Sequence, residues 1–299
     1  MNKSLLLLNI LHQITKHPLN KGGKIRAVTR FLNWQIGSFF IKWPVIYPFV
    51  ESSVLVVEKG MGGATGNIYN GLHEYQEMMF LLHFLTKNDL FIDIGANIGS
   101  YTILSSANCG ARSIAFEPIS KTFEYLQRNI VANSIQDRVQ LINKAVGSKN
   151  ETNLFTSNLD AQNHVLSEGE KVNGIPGIAV GLTTLDDFFL QGPILIKIDV
   201  EGFESEVVSG GMRMLSSQSL KAIIIELNGS GKRYGKDEGD IHATLINLGF
   251  LPFIYNPFTR QLISIKHWGK HNTIYVRDLD YVRRRVEGAR KYCVNSYIL

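Results

Sequence analysis

Five acidic residues stand where an apolar run gives way to a turn: Asp93, Glu117, Asp199, Glu201 and Glu226. A carboxylate at the carboxyl end of a buried parallel strand faces the crevice where open α/β sheets bind their ligands. It can accept hydroxyls, balance a cation or take up a proton. Asp93 interrupts the run Leu90–Ile94, and Gly95-Ala96-Asn97-Ile98-Gly99 follows it. Gly95 and Gly99 bracket a tight turn in which backbone passes close to something. Asn97 is placed to cap the helix that follows.

The glycine spacing separates two cofactor classes. A dinucleotide site has Gly-x-Gly-x-x-Gly and a helix N-terminus on a pyrophosphate. Here the middle glycine is missing, and Asp93 would face the anion. S-adenosyl-L-methionine, with its ammonium, sulfonium and ribose hydroxyls, suits an acidic turn better. Glu117 lies 22 positions after Gly95, at the end of the second strand, where a carboxylate accepts ribose hydroxyls.

Strand and helix then alternate as a doubly wound sheet requires. Strands are expected at 90–94, 113–117, 139–142, 194–200 and 222–227, with a closing pair at 250–255 and 273–276. Residues 1–40 read as two helical pieces broken at Pro18 and Gly22-Gly23. Ile25, Val28, Phe31, Leu32 and Ile36 are at helical spacing and are expected to pack on the main domain. The stretch 60–67, with four glycines, reads as a loop near the substrate entrance, and a helix opening at 73–75 feeds the first core strand. Residues 150–180 read as a polar insertion with one strand. Its Asn158, Asp160, Asn163 and His164 are candidates to face a polar acceptor. The residues after Arg277 read as a polar helix with a frayed end.

With 299 residues, 44% hydrophobic and 19% charged, the chain buries a proper core. The net charge of +5 is dispersed apart from Arg283–Arg285, without the basic, aromatic stripe of a nucleic-acid binder. No stretch reaches the length of a membrane span. Cys109 and Cys293 lack metal-ligand spacing and suit a reduced, cytoplasmic protein.

Four segments share a family pattern: Phe91–Tyr101 (FIDIGANIGSY), Phe116–Pro118 (FEP), Leu185–Asp186 and Lys197–Glu204 (KIDVEGFE), with a weaker match at Ile225–Glu226. In this order the chain resembles the FkbM family of class I S-adenosylmethionine-dependent methyltransferases. The resemblance implies a Rossmann-like α/β fold: a mostly parallel seven-stranded sheet with a terminal antiparallel hairpin and an N-terminal helical extension. It divides the chain into an extension, 1–67, and a methyltransferase domain, 68–299. It implies a cofactor pocket of Tyr75, Asp93, Gly95, Ala96, Asn97, Gly99, Ser100, Glu117, Asn143, Ala145 and Asp199, with Glu77 beside Tyr75. The Asn143-Lys144-Ala145 turn is expected along the adenine edge.

Asp199 is expected to be the acceptor-side base or orienting group, with Glu226 second. Asp199, Glu226 and Asn228 are oxygen ligands of the kind magnesium takes, but Leu227 separates the last two, and no metal is expected. None of His73, His164 and His242 is placed in the chemistry. The expected activity is O-methylation of a hydroxyl on a sugar, glycan or small natural product, without nucleic-acid or integral membrane association. N-methylation on the same fold and a nicotinamide-dependent oxidoreductase are the alternatives.

Overall fold

The motif strand Leu90–Ile94 lies inside an eight-stranded sheet and is buried along its whole length. The computed structural model describes residues 3–159 and 162–299, so the expectation for Asp160 lies outside the described residues. In chain order, α1 (Lys3–Lys16) and α2 (Lys24–Gly37) precede a ribbon of β1 (Val45–Pro48) and β2 (Val54–Val57). Helices α3 (Gly62–Asn70) and α4 (Tyr75–Phe84) lead into β3 (Leu90–Ile94), α5 (Ser100–Ile103), β4 (Arg112–Phe116), α6 (Ser120–Ala132) and β5 (Val139–Ile142). A small sheet of β6 (Ala145–Gly147), β7 (Thr152–Phe155) and β8 (Ile178–Thr184) follows, with α7 (Glu168–Val172) between its last two strands. The second half runs β9 (Leu195–Ile198), α8 (Glu204–Ser209), α9 (Met212–Ser216), β10 (Ala222–Glu226), α10 (Glu238–Asn247), β11 (Leu251–Asn256), β12 (Gln261–Ser264), β13 (Asn272–Val276) and α11 (Leu279–Gly288).

The strand order is β12-β11-β13-β10-β9-β3-β4-β5. Strands β3, β4, β5, β9 and β10 are parallel, whereas β13 is antiparallel to both its neighbours, β10 and β11, so that β11 again runs with the five. The chain builds outward from β3 to β5, then crosses back to place β9 on the other side of β3. This is the topological switch that opens a crevice at the strands' carboxyl ends. Alternate side chains fill opposite faces. Phe91, Leu195 and Ile224 join one core with α4 and α11; Ile92, Ile196 and Ile223 join the other with α8, α9 and α10.

The sheet is the expected one with an eighth strand, β12, added at its edge by the hairpin from β11. The insertion is better ordered than expected, because β8 pairs with both β6 and β7. The glycine-rich stretch is a helix, α3. Its Ala64, Ile68 and Tyr69 are buried against Phe31, Ile98 and Tyr125, and this packing outweighs the helix-weakening glycines. That core unites residues on both sides of position 67. In α2 only Ala27 and Phe31 are buried; Ile25, Leu32 and Ile36, expected inside, are exposed. The end of the chain does not fray. Cys293–Val294 pairs with Tyr297–Ile298, Leu299 is buried, and the Tyr297 hydroxyl accepts the Gly22 amide at 2.9 Å.

Strand β2 is held from the side by two asparagines one turn apart, Asn129 on α6 and Asn133 at the C-terminal cap of that helix. The Oδ1 of Asn133 accepts the Val54 amide at 2.8 Å, and its Nδ2 donates to the Val54 carbonyl at 2.8 Å. Asn129, fully buried, accepts the Val56 amide at 2.6 Å and donates to the Ile98 carbonyl at 2.8 Å. Together they imitate a neighbouring strand. Replacing Asn129 with alanine orphans both backbone groups, and the expected cost is about 2–3 kcal/mol in urea unfolding. A loss below about 0.5 kcal/mol would mean that water replaces the side chain.

Candidate active site

The parallel register sets Asp93 beside Lys197 on adjacent strands, and the next positions bring the Gly95 turn against Asp199. Three left-handed residues in alternation, Gly95, Asn97 and Gly99, shape the turn. Gly95 is obligatory: a Cβ there would lie 1.8 Å from the Asp199 carbonyl oxygen, on a backbone with φ +78°. The Gly95 and Ala96 amides both donate to the Phe116 carbonyl, at 3.0 and 2.9 Å, which pins the turn to β4. Asn97 does not cap the helix as expected. Its own φ is positive, its Oδ1 accepts the next amide, and α5 begins only at Ser100 after Gly99.

A cavity of about 320 Å³ opens above these strand ends. It is within the usual size of a small-molecule site, about 300–1,000 Å³. Asp93, Gly95, Ala96, Asn97, Ser100, Glu117, Asp199 and Glu226, all expected at the site, line it together. Five expected residues do not. Tyr75 turns its ring onto His17, with centroids 5.3 Å apart, while its neighbours Glu74 and Met78 face the cavity. Glu77 is half-buried outside the lining, and its carboxyl is pushed up to about 7 by desolvation and then by Glu74. Gly99 is a packing position, where a Cβ would meet Leu126 at 2.5 Å. Asn143 spends its amide on the carbonyls of Glu117 and Pro118, and Ala145 is buried in the core of the insertion.

The cavity wall is strongly acidic. Asp93 is buried; its Oδ2 accepts from Thr102 at 2.7 Å, while its Oδ1 has no partner. Burial raises its proton affinity, against the pull of Lys197. Glu117 accepts the amides of Asn97 at 3.0 Å and Ile119 at 2.9 Å, and burial pushes its carboxyl up to about 7. Asp199, Glu201 and Glu226 bring carboxylate oxygens within 4.8 Å of one another. Burial, then Asp199 and Glu201, pushes Glu226 up to about 9; burial, then Asp199, pushes Glu201 up to about 7. The Asn228 Oδ1 accepts the Ser230 amide at 2.9 Å.

Among the described residues, one buried cation answers these carboxylates. Lys197 donates to Asp199 at 2.7 Å and lies over the Tyr101 ring, 4.8 Å from its centroid. Burial disfavours its ammonium, but Asp199, Glu74 and Asp93 outweigh that and hold its pKa above the usual lysine value. Glu74 in turn accepts from the Tyr101 hydroxyl at 2.8 Å and from Asn272 at 2.5 Å. Sequence reasoning named neither Glu74 nor Lys197 for the site. Lys197 had a signal: a lysine between Ile196 and Ile198 in a buried strand needs an anionic partner. Glu74 had none without knowledge of which face of α4 turns inward.

From the insertion, Gln162 and Asn163 reach the cavity. His164 instead holds Glu170 at 2.9 Å and the Gln162 carbonyl at 2.8 Å. His73 lines the cavity, whereas His242 bonds the Tyr275 hydroxyl. Asn158 borders a neighbouring groove.

The Methyltransferase FkbM domain profile matches residues 93–252. A curated relative, the hexuronic acid methyltransferase AglP of Haloferax volcanii, is 27% identical over 159 residues. That match covers 52% of this chain and 62% of the relative, so the chain spans less than two thirds of that protein. Among solved structures, the Methyltransferase FkbM of Methylobacillus flagellatus KT aligns at 15% identity and TM-score 0.44, covering 71% of this chain and 52% of the other. A methyltransferase from Geobacter sulfurreducens aligns at 14% identity and TM-score 0.39, covering 72% and 85%.

Proposed function

Since the chain belongs to the FkbM methyltransferase family, whose domain spans residues 93–252, we propose that it methylates a sugar hydroxyl with S-adenosyl-L-methionine as donor. The observation that carries the reading is the buried, unpartnered Oδ1 of Asp93 in a cavity wall of carboxylates. Such a wall favours a cationic ligand that brings its own donors. The donor fits: it has an ammonium, a sulfonium and hydroxyls, and no phosphate. When bound it supplies a methyl group already activated by the charge on sulfur.

The chain's residues then divide the remaining work. Asp93 and Glu117 hold the donor, the first toward its cationic part and the second toward its ribose hydroxyls. The Gly95–Gly99 turn lets backbone approach closely. Glu226 is our choice of base over Asp199. Asp199 has one oxygen engaged by the Lys197 ammonium at 2.7 Å and is assigned the orienting role. Glu226 forms no ion pair among the described residues, and burial with the neighbouring carboxylates raises its proton affinity, which suits it to take up a proton once ionised. Gln162 and Asn163 are polar partners for an acceptor, and the hexuronic acid specificity named for the curated relative supports a sugar acid as that acceptor.

The test is calorimetric titration with S-adenosylhomocysteine and, in parallel, NAD, followed by incubation with S-adenosylmethionine and uronic acids under mass-spectrometric readout. Micromolar binding of the first ligand alone is expected, weakened roughly 25-fold, about 2 kcal/mol, by Asp93→Asn. Methyl transfer should rise with pH across about 6 to 9, and Glu226→Gln should remove that rise while leaving binding intact. Binding of NAD alone would overturn the reading.

A further inference from the structure

Helix α2 carries two apolar faces, and only one is used. Ala27 and Phe31 are buried in the core shared with α3. On the other side, Ile25, Leu32 and Ile36 are spaced seven and four residues apart, which at 3.6 residues per turn keeps them within an arc of about 40°. Ile25 is 84% exposed and Ile36 59%. The stripe runs into a turn where Phe39 is 73% and Phe40 85% exposed, and Ile41 and the β1 residue Ile46 are exposed beside it. Ile25, Ile41 and Ile46 line one groove with Trp34 and Tyr47. Large apolar side chains standing together in water mark a surface that something covers.

The charge around this surface says what. The basic excess is not dispersed as expected but concentrated here: residues 1–50 contain seven lysines and arginines and no aspartate or glutamate, so the other 249 residues sum to −2. Lys21, Lys24, Arg26, Lys42 and Lys59 are exposed, and none is ion-paired among the described residues. Lys59 sits over the Phe39 ring, 4.1 Å from its centroid. The nearest acidic residues in sequence are engaged elsewhere, Glu51 with Arg290 and Glu58 with the Tyr125 hydroxyl. A second copy of this face would oppose cation to cation, which disfavours self-pairing. A helix lying in the plane of a bilayer shows the same combination: bulky apolar side chains on one side, with lysine and arginine at headgroup level.

We infer that the α2 face and the Phe39–Phe40 turn form a docking surface for an anionic lipid bilayer. The apolar stripe enters the headgroup boundary, and Lys24, Arg26, Lys42 and Lys59 meet the lipid phosphates. No helix among the described residues is long and apolar enough to cross a membrane, so attachment through this surface is peripheral.

The experiment is flotation of the full chain with vesicles of phosphatidylcholine alone or mixed with phosphatidylglycerol, at low and high salt. Binding to the mixed vesicles at low salt is expected, with at least tenfold loss on pure phosphatidylcholine. Adding salt should weaken binding as screening shortens electrostatic reach. The double variant Phe39→Ser/Phe40→Ser should lose at least tenfold in vesicle binding while keeping its thermal unfolding midpoint, because both rings stand mainly in solvent. A separate Lys24→Glu/Lys42→Glu variant should lose binding while retaining both phenylalanines. Absence of binding to the anionic vesicles would overturn the inference. So would full binding by the phenylalanine variant, or concentration-dependent dimerisation that the variant abolishes.

Discussion

Gly95→Ala should remove S-adenosylhomocysteine binding and destabilise the fold by about 4 kcal/mol or more, the range of the most disruptive single substitutions. Two effects add at this position. The left-handed backbone strains a residue with a Cβ, at about 1–3 kcal/mol. The new methyl would also lie 1.8 Å from the Asp199 carbonyl oxygen and 2.9 Å from its carbonyl carbon. Neither side yields easily, since the turn hangs from Phe116 by two amides and the Asp199 amide is bonded to the Ile94 carbonyl at 3.1 Å. Relief therefore requires parting the ends of β3 and β9, which separates Asp93 from Asp199. Urea unfolding and calorimetric titration read the two losses separately. A variant that unfolds at the wild-type midpoint and binds normally would show that the two strand ends slide freely.

The second large effect is expected at Lys197. Lys197→Met removes the one buried ammonium from among Asp199, Glu74 and Asp93, with an expected cost of about 3–5 kcal/mol at pH 8. The pH dependence distinguishes charge from packing. In the wild type the lysine pKa is raised, so its contribution is fully present below the unfolded-state value and persists across the neutral range. Without it, the raised carboxyls of Asp93 and Glu226 rise further. A carboxyl whose folded pKa exceeds its unfolded value binds the extra proton only in the folded state. Stability is then kept at low pH and lost as pH rises toward the folded pKa. The deficit should therefore be small at pH 5 and largest at pH 8. A deficit of equal size at both would assign Lys197 a packing role.

The parts of this chain legible from sequence are those whose cause is local. Strand β3 declares itself by an unbroken apolar run, and Asp93, Glu117, Asp199 and Glu226 by standing at strand ends. The structure brings these four to one cavity. What escaped depends on partners far along the chain. Helix α3 looks like a loop because glycine weakens helices by about 1 kcal/mol each; its burial against Phe31 and Tyr125 reverses the balance. The periodicity of α2 shows apolar spacing but not which stripe turns inward, so Phe31 and Ile36 looked alike. Tyr75 and Glu74 differ by one position, hence by about 100° around the axis, and only the docked helix shows which faces the cavity. The end of the chain is anchored by Tyr297 on Gly22, a contact across nearly the whole sequence.

The asparagine pair on α6 and its C-terminal cap has a consequence for solubility. A two-stranded ribbon exposes two rows of unpaired amides and carbonyls, each a template on which another chain can add a strand. On the β2 side, Asn129 and Asn133 occupy that row with side chains, and a helix cannot propagate a sheet. The edge is closed to strand exchange without a third strand having been built, and the ribbon is kept from seeding assembly of one molecule onto the next.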